Sequence, residues 1–378
     1  MNKELNIITL DIPFPPNYGG AIDEFYTIKK LYDLGIKIYL HAFQYGERKP
    51  SKELEQYCTE VHYYERKRNL YDFFNKIPFI VKTRDHDLLL NNLLKNNAPI
   101  LFEGIHTTYF LSDPALRGRL KIIRAHNIEQ DYYKFLAKFE KNLLKKIYFF
   151  IESVKLKNYE INVIKNADSI AAISIGDMKR IKLWNENVEL ISSFHPFDNV
   201  ESMIGKGKYA LFHGNLDVSE NKTAAEFLAN KVFNDINIPF IIAGKCKKEN
   251  NIKRHLVPNS NIQLLTNISD EKMNDLIRNA HLNVLYTTQS TGLKLKLIYS
   301  IFLGRFILVN NLMVENTDLA PLCEIANDEK EMKKKILNIF DDYFTDEMIE
   351  KRKKILNDLG YMNEQNVKKL LKMLQINE

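Results

Sequence analysis

In the stretch Gln289-Ser290-Thr291-Gly292-Leu293-Lys294-Leu295-Lys296, two lysines stand one residue apart, directly ahead of an apolar run that closes at Gly304. If that run is a helix, Gly292 leaves space at its start and the first-turn N–H groups lack partners within it. Two cations there oppose the helix dipole unless an anion offsets them. These residues suit the binding of a phosphate or diphosphate, and solvated surface charge accounts for them equally well on local grounds. Gly19 and Gly20 follow a separate apolar run, where glycine either lets backbone amides approach a ligand or simply makes a tight turn. His126 and His106 each follow a further apolar run, a position from which an imidazole can organise reacting groups or make a structural hydrogen bond. Lys222 and Lys245 lie beyond two short apolar runs of the second half.

The elements that would position these residues recur in one pattern: a short apolar run, a loop, then a longer helical stretch. Leu5–Leu10 reads as a strand, Ala21–Leu34 as a helix closed by Gly35, and Ile36–Phe43 as the next strand, which makes a βαβ unit. Ile100–Phe102, Lys121–Arg124 and Ser169–Ile173 read as further strands, with one long helical segment from about Asp131 to Asn166. After Phe194-His195-Pro196-Phe197-Asp198 the pattern restarts, with strands at Tyr209–His213, Phe240–Ala243, Ile262–Leu264 and Leu282–Tyr286 and helices at Lys222–Phe233 and Glu271–Asn279. A parallel strand at Leu282–Tyr286 cannot join one at Phe306–Asn310 without a crossover, which is usually helical, so Leu293–Leu303 is predicted to be a helix with Gly304 as its C′ glycine. The sequence therefore predicts an α/β protein with two doubly wound, mostly parallel sheets.

Bulk properties agree. A chain of 378 residues exceeds the usual size of one core. Hydrophobic residues at 45% and charged residues at 27% describe an ordinary globular protein rather than a disordered one. The net charge of +6 admits anionic ligands or a membrane surface but is too small to argue for nucleic acid. Cys58, Cys246 and Cys323 have no metal or disulfide spacing, which fits a reducing cytoplasm. The N-terminal apolar run is interrupted by Asp11 and prolines, so it reads neither as a signal peptide nor as a membrane span.

Several segments in order resemble the GT-B glycosyltransferases of the retaining family numbered four. Gly-x-Lys-x-Lys before an apolar helix is similar to that family's donor-site segment, and Pro15-Pro16-Asn17-Tyr18-Gly19-Gly20 to its glycine loop. Arg124-Ala125-His126-Asn127-Ile128-Glu129 resembles its R-x-H-N-x-E segment, Ala172-Ile173-Ser174 the end of its N-terminal domain, and His213-Gly214-Asn215-Leu216 the opening of its C-terminal one. The resemblance implies two Rossmann-like domains facing a cleft: residues 1–197 on the acceptor side, 198–355 for the nucleotide-sugar donor, and 356–378 as a C-terminal helix packing back on the first domain. It implies transfer of a sugar, with retention, from a nucleotide-diphosphate sugar to a glycan or lipid-linked acceptor, in bacterial surface polysaccharide or glycoconjugate synthesis.

His126 is the implied catalytic residue. Gly19, Gly20, His106, Arg124, Asn127, Glu129, Gly214, Asn215, Lys222, Lys245, Gly292, Lys294 and Lys296 are the implied substrate-binding residues. No metal or cofactor is expected; the Asp85-His86-Asp87 triplet matches the DxD pattern of the other major glycosyltransferase fold, but opens a leucine-rich helical stretch instead of following a strand. Lysines among apolar residues over Lys138–Lys157 admit a peripheral contact with the inner face of the cytoplasmic membrane, or a plain packed helix. One departure stands out. The family's Glu-x7-Glu pair is missing, with Tyr299 at the position of the second Glu and no acid between Gln289 and Val314. That departure keeps two other expectations open, a catalytically impaired nucleotide- or glycan-binding protein and a sugar-nucleotide epimerase.

Overall fold

A computed structural model describes residues 3–376 except 68, 141, 257–258 and 290–293. The chain forms two compact units: Met1–Pro196 with Gly360–Glu378, and Phe197–Ser290 with Lys294–Leu359.

The first unit is built on seven strands: β1 (Glu4–Thr9), β2 (Lys37–Gln44), β3 (Glu60–Glu65), β4 (Ile100–Glu103), β5 (Lys121–Ala125), β6 (Ser169–Ala172) and β7 (Val188–Leu190). They lie in the order β3-β2-β1-β4-β5-β6-β7, and every pairing is parallel. Successive residues of the central strands are buried on opposite faces. Ile8, Phe102 and Ile123 enter one core and Ile7, Leu101 and Ile122 the other, which is why these strands read as unbroken apolar runs. Helix Gly19–Asp33 covers the second face together with the last helix, Asn363–Met373, whose Val367, Leu370 and Leu371 are buried there.

The second unit has six parallel strands: β8 (Ala210–His213), β9 (Phe240–Gly244), β10 (Ile262–Thr266), β11 (Leu282–Leu285), β12 (Phe306–Val309) and β13 (Glu324–Ile325), in the order β10-β9-β8-β11-β12-β13. The crossover between β11 and β12 contains helix Leu295–Leu303, as the connection rule requires. Among the described residues no helix is long and apolar enough to cross a membrane.

Three details differ from the sequence reading. The segment from Asp131 to Asn166 is two helices, Glu129–Phe139 and Leu143–Asn166, because Glu140 and Asn142 leave the helical conformation and the Asn142 side chain caps the second helix on the Lys145 N–H. Strands β3, β7 and β13 escaped notice, being short, polar or at the sheet margins. Gly304 is not a left-handed C′ residue: its φ is −83°. Glycine is needed there by close approach, since a Cβ would lie 2.3 Å from the Asn283 amide nitrogen.

Burial of the last helix's leucines makes it part of the first unit's core. Leu370→Ala is expected to destabilise that unit by about 2–5 kcal/mol, the range for emptying a buried leucine site. Chemical denaturation followed by fluorescence of Trp184, the single tryptophan and a resident of this unit, measures it. A shift of midpoint near zero would show that the helix does not anchor the unit.

Candidate functional site

In each unit the strand order reverses at one place, between β1 and β4 in the first and between β8 and β11 in the second. Such switch points open a crevice beyond the carboxyl ends of the strands, where doubly wound sheets bind ligands. The polar residues gather at both.

In the first unit β4 ends at Glu103 and β5 delivers His126 immediately after Ala125. His126 Nε2 lies 2.8 Å from Glu103 Oε2 and 3.6 Å from Asp23 Oδ2. Gly20, in the first turn of the helix, brings the backbone close to both rings: a Cβ there would sit 3.3 Å from the Tyr18 ring and 3.8 Å from His126 Nδ1. Gly19 opens the same helix, whose N-cap Tyr18 makes no side-chain capping bond, so backbone N–H groups remain directed past the helix start. Tyr18 is held by Asp11, its hydroxyl donating at 3.1 Å, and by the Arg48 guanidinium 4.7 Å above its ring.

Beside the histidine stand buried carboxyls without partners. Glu24 is 1% exposed, and neither of its oxygens has a hydrogen-bond partner; Glu103 is fully buried, and its Oε1 is likewise unpaired. Burial, reinforced by the neighbouring Glu103 charge, raises the Glu24 pKa well above the usual carboxyl range, which favours its protonated form. Asp23 behaves oppositely. Burial works against its charge, but the Arg124 guanidinium outweighs that and keeps the pKa low.

Two sequence expectations change here. Arg124 is fully buried and its guanidinium is committed to Asp23, with both bonds 2.8 Å, and to the Ile191 and Ser192 carbonyls, so its donors are taken up inside the fold. Glu129, 3% exposed, also faces inward, its Oε2 3.8 Å from His106 Nε2. Burial pushes its pKa up to about 8, with Glu160 adding to the effect. Glu160 meanwhile accepts the Glu129 and Gln130 N–H groups and so caps that helix from the neighbouring one. His106 is kept neutral by its burial. Asn127 is half-buried and hydrogen-bonds Glu129.

Asp23, Glu103 and His126 present ligand-type atoms within 4.8 Å of one another, the geometry of a metal site. The donor set does not suit one. Asp23 spends both oxygens on Arg124, whose guanidinium supplies the positive charge that a metal ion would bring.

In the second unit Lys294 is the N-cap of helix Leu295–Leu303, and Lys296 lies in its first turn. Lys296 Nζ donates to Asn221 Oδ1 at 2.9 Å and lies 5.6 Å above the Phe212 ring. Burial lowers its pKa to about 8, against the opposing pull of Glu220. Lys294 is lowered too, by the same cause. Glu220 accepts hydrogen bonds from the Thr287 hydroxyl and the Gln289 amide, which fixes a carboxylate beside both lysines. His213, at the end of β8, bonds Ser300 at 3.0 Å, and burial drives its pKa down to about 3. Gly214 donates its N–H to Ala243 O, and Asn215 O accepts from Asn221, so the loop after β8 is tied to β9 and to the next helix.

The four lysines differ in their surroundings. Lys294 and Lys296 interact, whereas Lys222 sits one turn into helix Ser219–Phe227 with Nζ 3.7 Å from Glu226, and Lys245 is exposed past β9. Gly292 lies outside the described residues. Tyr299, at the missing Glu position, packs edge-on against Phe197 with ring centroids 4.8 Å apart. Residues that sequence reading missed are Asp23, Glu24 and Glu103 in the first unit and Glu220 and Asn221 in the second. A charged residue closing the apolar strand Ile-Leu-Phe-Glu, and two acids on the apolar face of the first helix, were the available signals.

The buried pair gives a direct test. Asp23→Asn leaves the Arg124 cation buried without its countercharge and should cost about 3–5 kcal/mol. Combining it with Arg124→Met should restore part of the loss, as read by denaturant unfolding of the same unit. Equal losses in single and double variants would mean that the two groups do not stabilise each other.

No family model matches the chain. It is 27% identical over 356 residues, 88% of this chain and 89% of the other, to an uncharacterized 44.6 kDa protein in the cps region of Klebsiella pneumoniae. Among solved structures it is similar to a complex of S. aureus TarM with fondaparinux, alpha-GlcNAc-glycerol and UDP (12% identity, 98% and 99% of the two chains covered, TM-score 0.66). It is also similar to Anabaena HepE with UDP-glucose (11%, 98% and 99%, 0.65) and to a glycosyltransferase from Rickettsia africae (12%, 98% and 97%, 0.61). With two Rossmann-like parallel sheets of seven and six strands and these neighbours along almost its whole length, the chain has the GT-B glycosyltransferase fold.

Proposed function

We propose that the chain is a glycosyltransferase that moves a sugar from a nucleotide-diphosphate donor to a hydroxyl of a glycan or lipid-linked glycan, in bacterial surface polysaccharide synthesis. The observation that carries this is the pairing of Lys294 and Lys296 at the start of a helix beyond a switch point, where burial lowers both ammonium pKa values and a diphosphate would raise them again. In the first unit His126, oriented by Glu103, and the unpaired Glu24 carboxyl are the groups that an acceptor hydroxyl would meet. Glu220 supplies a carboxylate near the lysines where the expected Glu pair is missing. The UDP and UDP-glucose complexes of the TarM and HepE neighbours support a UDP-sugar donor, and the relative from a cps region supports a capsule-like product. Retention of configuration and a cytoplasmic, metal-independent reaction follow the resemblance.

Incubating the protein with a panel of nucleotide sugars tests this reading. A transferase releases nucleoside diphosphate slowly even without acceptor. A binding protein only gains thermal stability, and an epimerase changes the sugar without release; either result overturns the proposal.

His126→Ala should cut turnover at least about tenfold, some 1.4 kcal/mol of barrier, with nucleotide affinity nearly unchanged. A purely structural histidine would instead lower the melting temperature, with activity falling in step with the folded fraction.

Lys296 makes donor binding pH-dependent. Its folded pKa of about 8 lies below the ordinary lysine value, so it is charged at pH 7 and loses that charge as pH rises through 8. Nucleoside diphosphate affinity should therefore fall across that range. Lys296→Gln should flatten the profile and weaken binding at pH 7 by about 1–3 kcal/mol. Calorimetric titrations on either side of pH 8 read both effects, and a wild-type profile in the variant would show that Lys296 does not meet the anion.

A further inference from the structure

The two helices Glu129–Phe139 and Leu143–Asn166 form a hairpin in which apolar residues on both sides of the turn lie where solvent would ordinarily select polar ones. Phe139, Leu143, Leu144, Ile147 and Phe150 are 57%, 68%, 79%, 47% and 59% exposed. Between the helices runs a groove of about 700 Å³ walled by Phe135, Leu143, Ile147 and Phe150 and edged by Lys138 and Lys146. Scattered single exposed apolar residues need no explanation, but a contiguous patch of this kind marks a surface that is covered in use. A second element adjoins it. Phe73, in the 3₁₀ turn Leu70–Phe74, stacks on Tyr148 of the long helix, and its neighbours Tyr71 and Phe74 are 81% and 83% exposed.

The charge around the patch is mainly positive, although Glu140, whose carboxylate accepts the Asn142 N–H, stands at the turn. Lys134, Lys138, Lys145, Lys146 and Lys157 are exposed, whereas Glu152 is buried and accepts the Phe79 and Ile80 N–H groups, and Asp131 is paired with Arg180. A second copy of this chain would bring like charges face to face across the same groove, which opposes self-association. An anionic bilayer offers what the face lacks: acyl chains for the apolar residues at the turn and phosphate headgroups for lysines that reach up from beside them.

We propose that this hairpin is a membrane-docking surface that seats the first unit on the headgroup region of an anionic phospholipid bilayer, with Phe139, Leu143 and Leu144 entering the interface and the lysines pairing with lipid phosphates. The inference rests on exposure and charge and is independent of the transferase reading, since its test reads no activity.

The test is co-sedimentation of the full chain with vesicles of about one part phosphatidylglycerol to three parts phosphatidylcholine, against pure phosphatidylcholine, at low and high ionic strength. Binding should favour the anionic vesicles and weaken as salt rises. Leu143→Ser with Leu144→Ser should lower vesicle affinity about tenfold or more while Trp184 fluorescence and the unfolding midpoint stay as in the parent, since both side chains are exposed. Lys145→Gln with Lys146→Gln should remove much of the preference for anionic lipid. Failure of the parent to bind anionic vesicles overturns the proposal, as does equal binding by the leucine variant. So does a parent that sediments as a dimer at equilibrium and a leucine variant that sediments as a monomer, which would make this face a self-interface.

Discussion

The first unit is organised around one buried ion pair. Arg124, within β5, is fully buried, so its guanidinium must find acceptors or cost several kcal/mol. It finds the Asp23 carboxylate on the first helix and the Ile191 and Ser192 carbonyls on the chain leaving β7, while Asp23 also accepts the Phe194 N–H at 2.6 Å. Three segments distant in sequence are thereby locked at the carboxyl edge of the sheet. Glu24, next to Asp23, is held near Glu103, and His126, two residues after Arg124, is held against it. The pair thereby sets the distances among the groups at this edge.

A similar trade operates in the second unit with opposite charge. Burial makes Lys296 a weaker cation than usual, and Asn221 and Glu220 satisfy it only in part. A partly desolvated lysine at a helix start is poised to gain more from an anion than an exposed one would, because no water shell has to be stripped from it. Lys222 and Lys245 lack that preparation, one paired along its own helix and the other in solvent. The difference between the two kinds of lysine is the environment, not the residue type.

In both units chemistry is concentrated where burial is incomplete in its compensation. Glu24 and Glu103 keep unpaired oxygens inside an otherwise satisfied interior, an arrangement that costs stability unless a ligand completes it. On the outer side of the same unit the hairpin face shows the converse, apolar groups left in solvent.

Much of this was legible in the sequence. Alternating apolar runs and helices gave the parallel α/β architecture, since both faces of each strand must be covered and every crossover needs a helix; the ordered motifs pointed to GT-B; and His126, Gly20, Lys294 and Lys296 stood out by type and position. What sequence could not supply was pairing across distance. Arg124 and Asp23 are 101 residues apart, and Glu103 and His126 are 23 apart. Whether a conserved-looking charge binds a ligand or another side chain depends on what the fold places within about 3 Å of it. The partners of Arg124 and Lys222, and the presence of Glu24, Glu103 and Glu220 beside the expected residues, appeared only when tertiary structure fixed which charges are buried together and which are left unpaired.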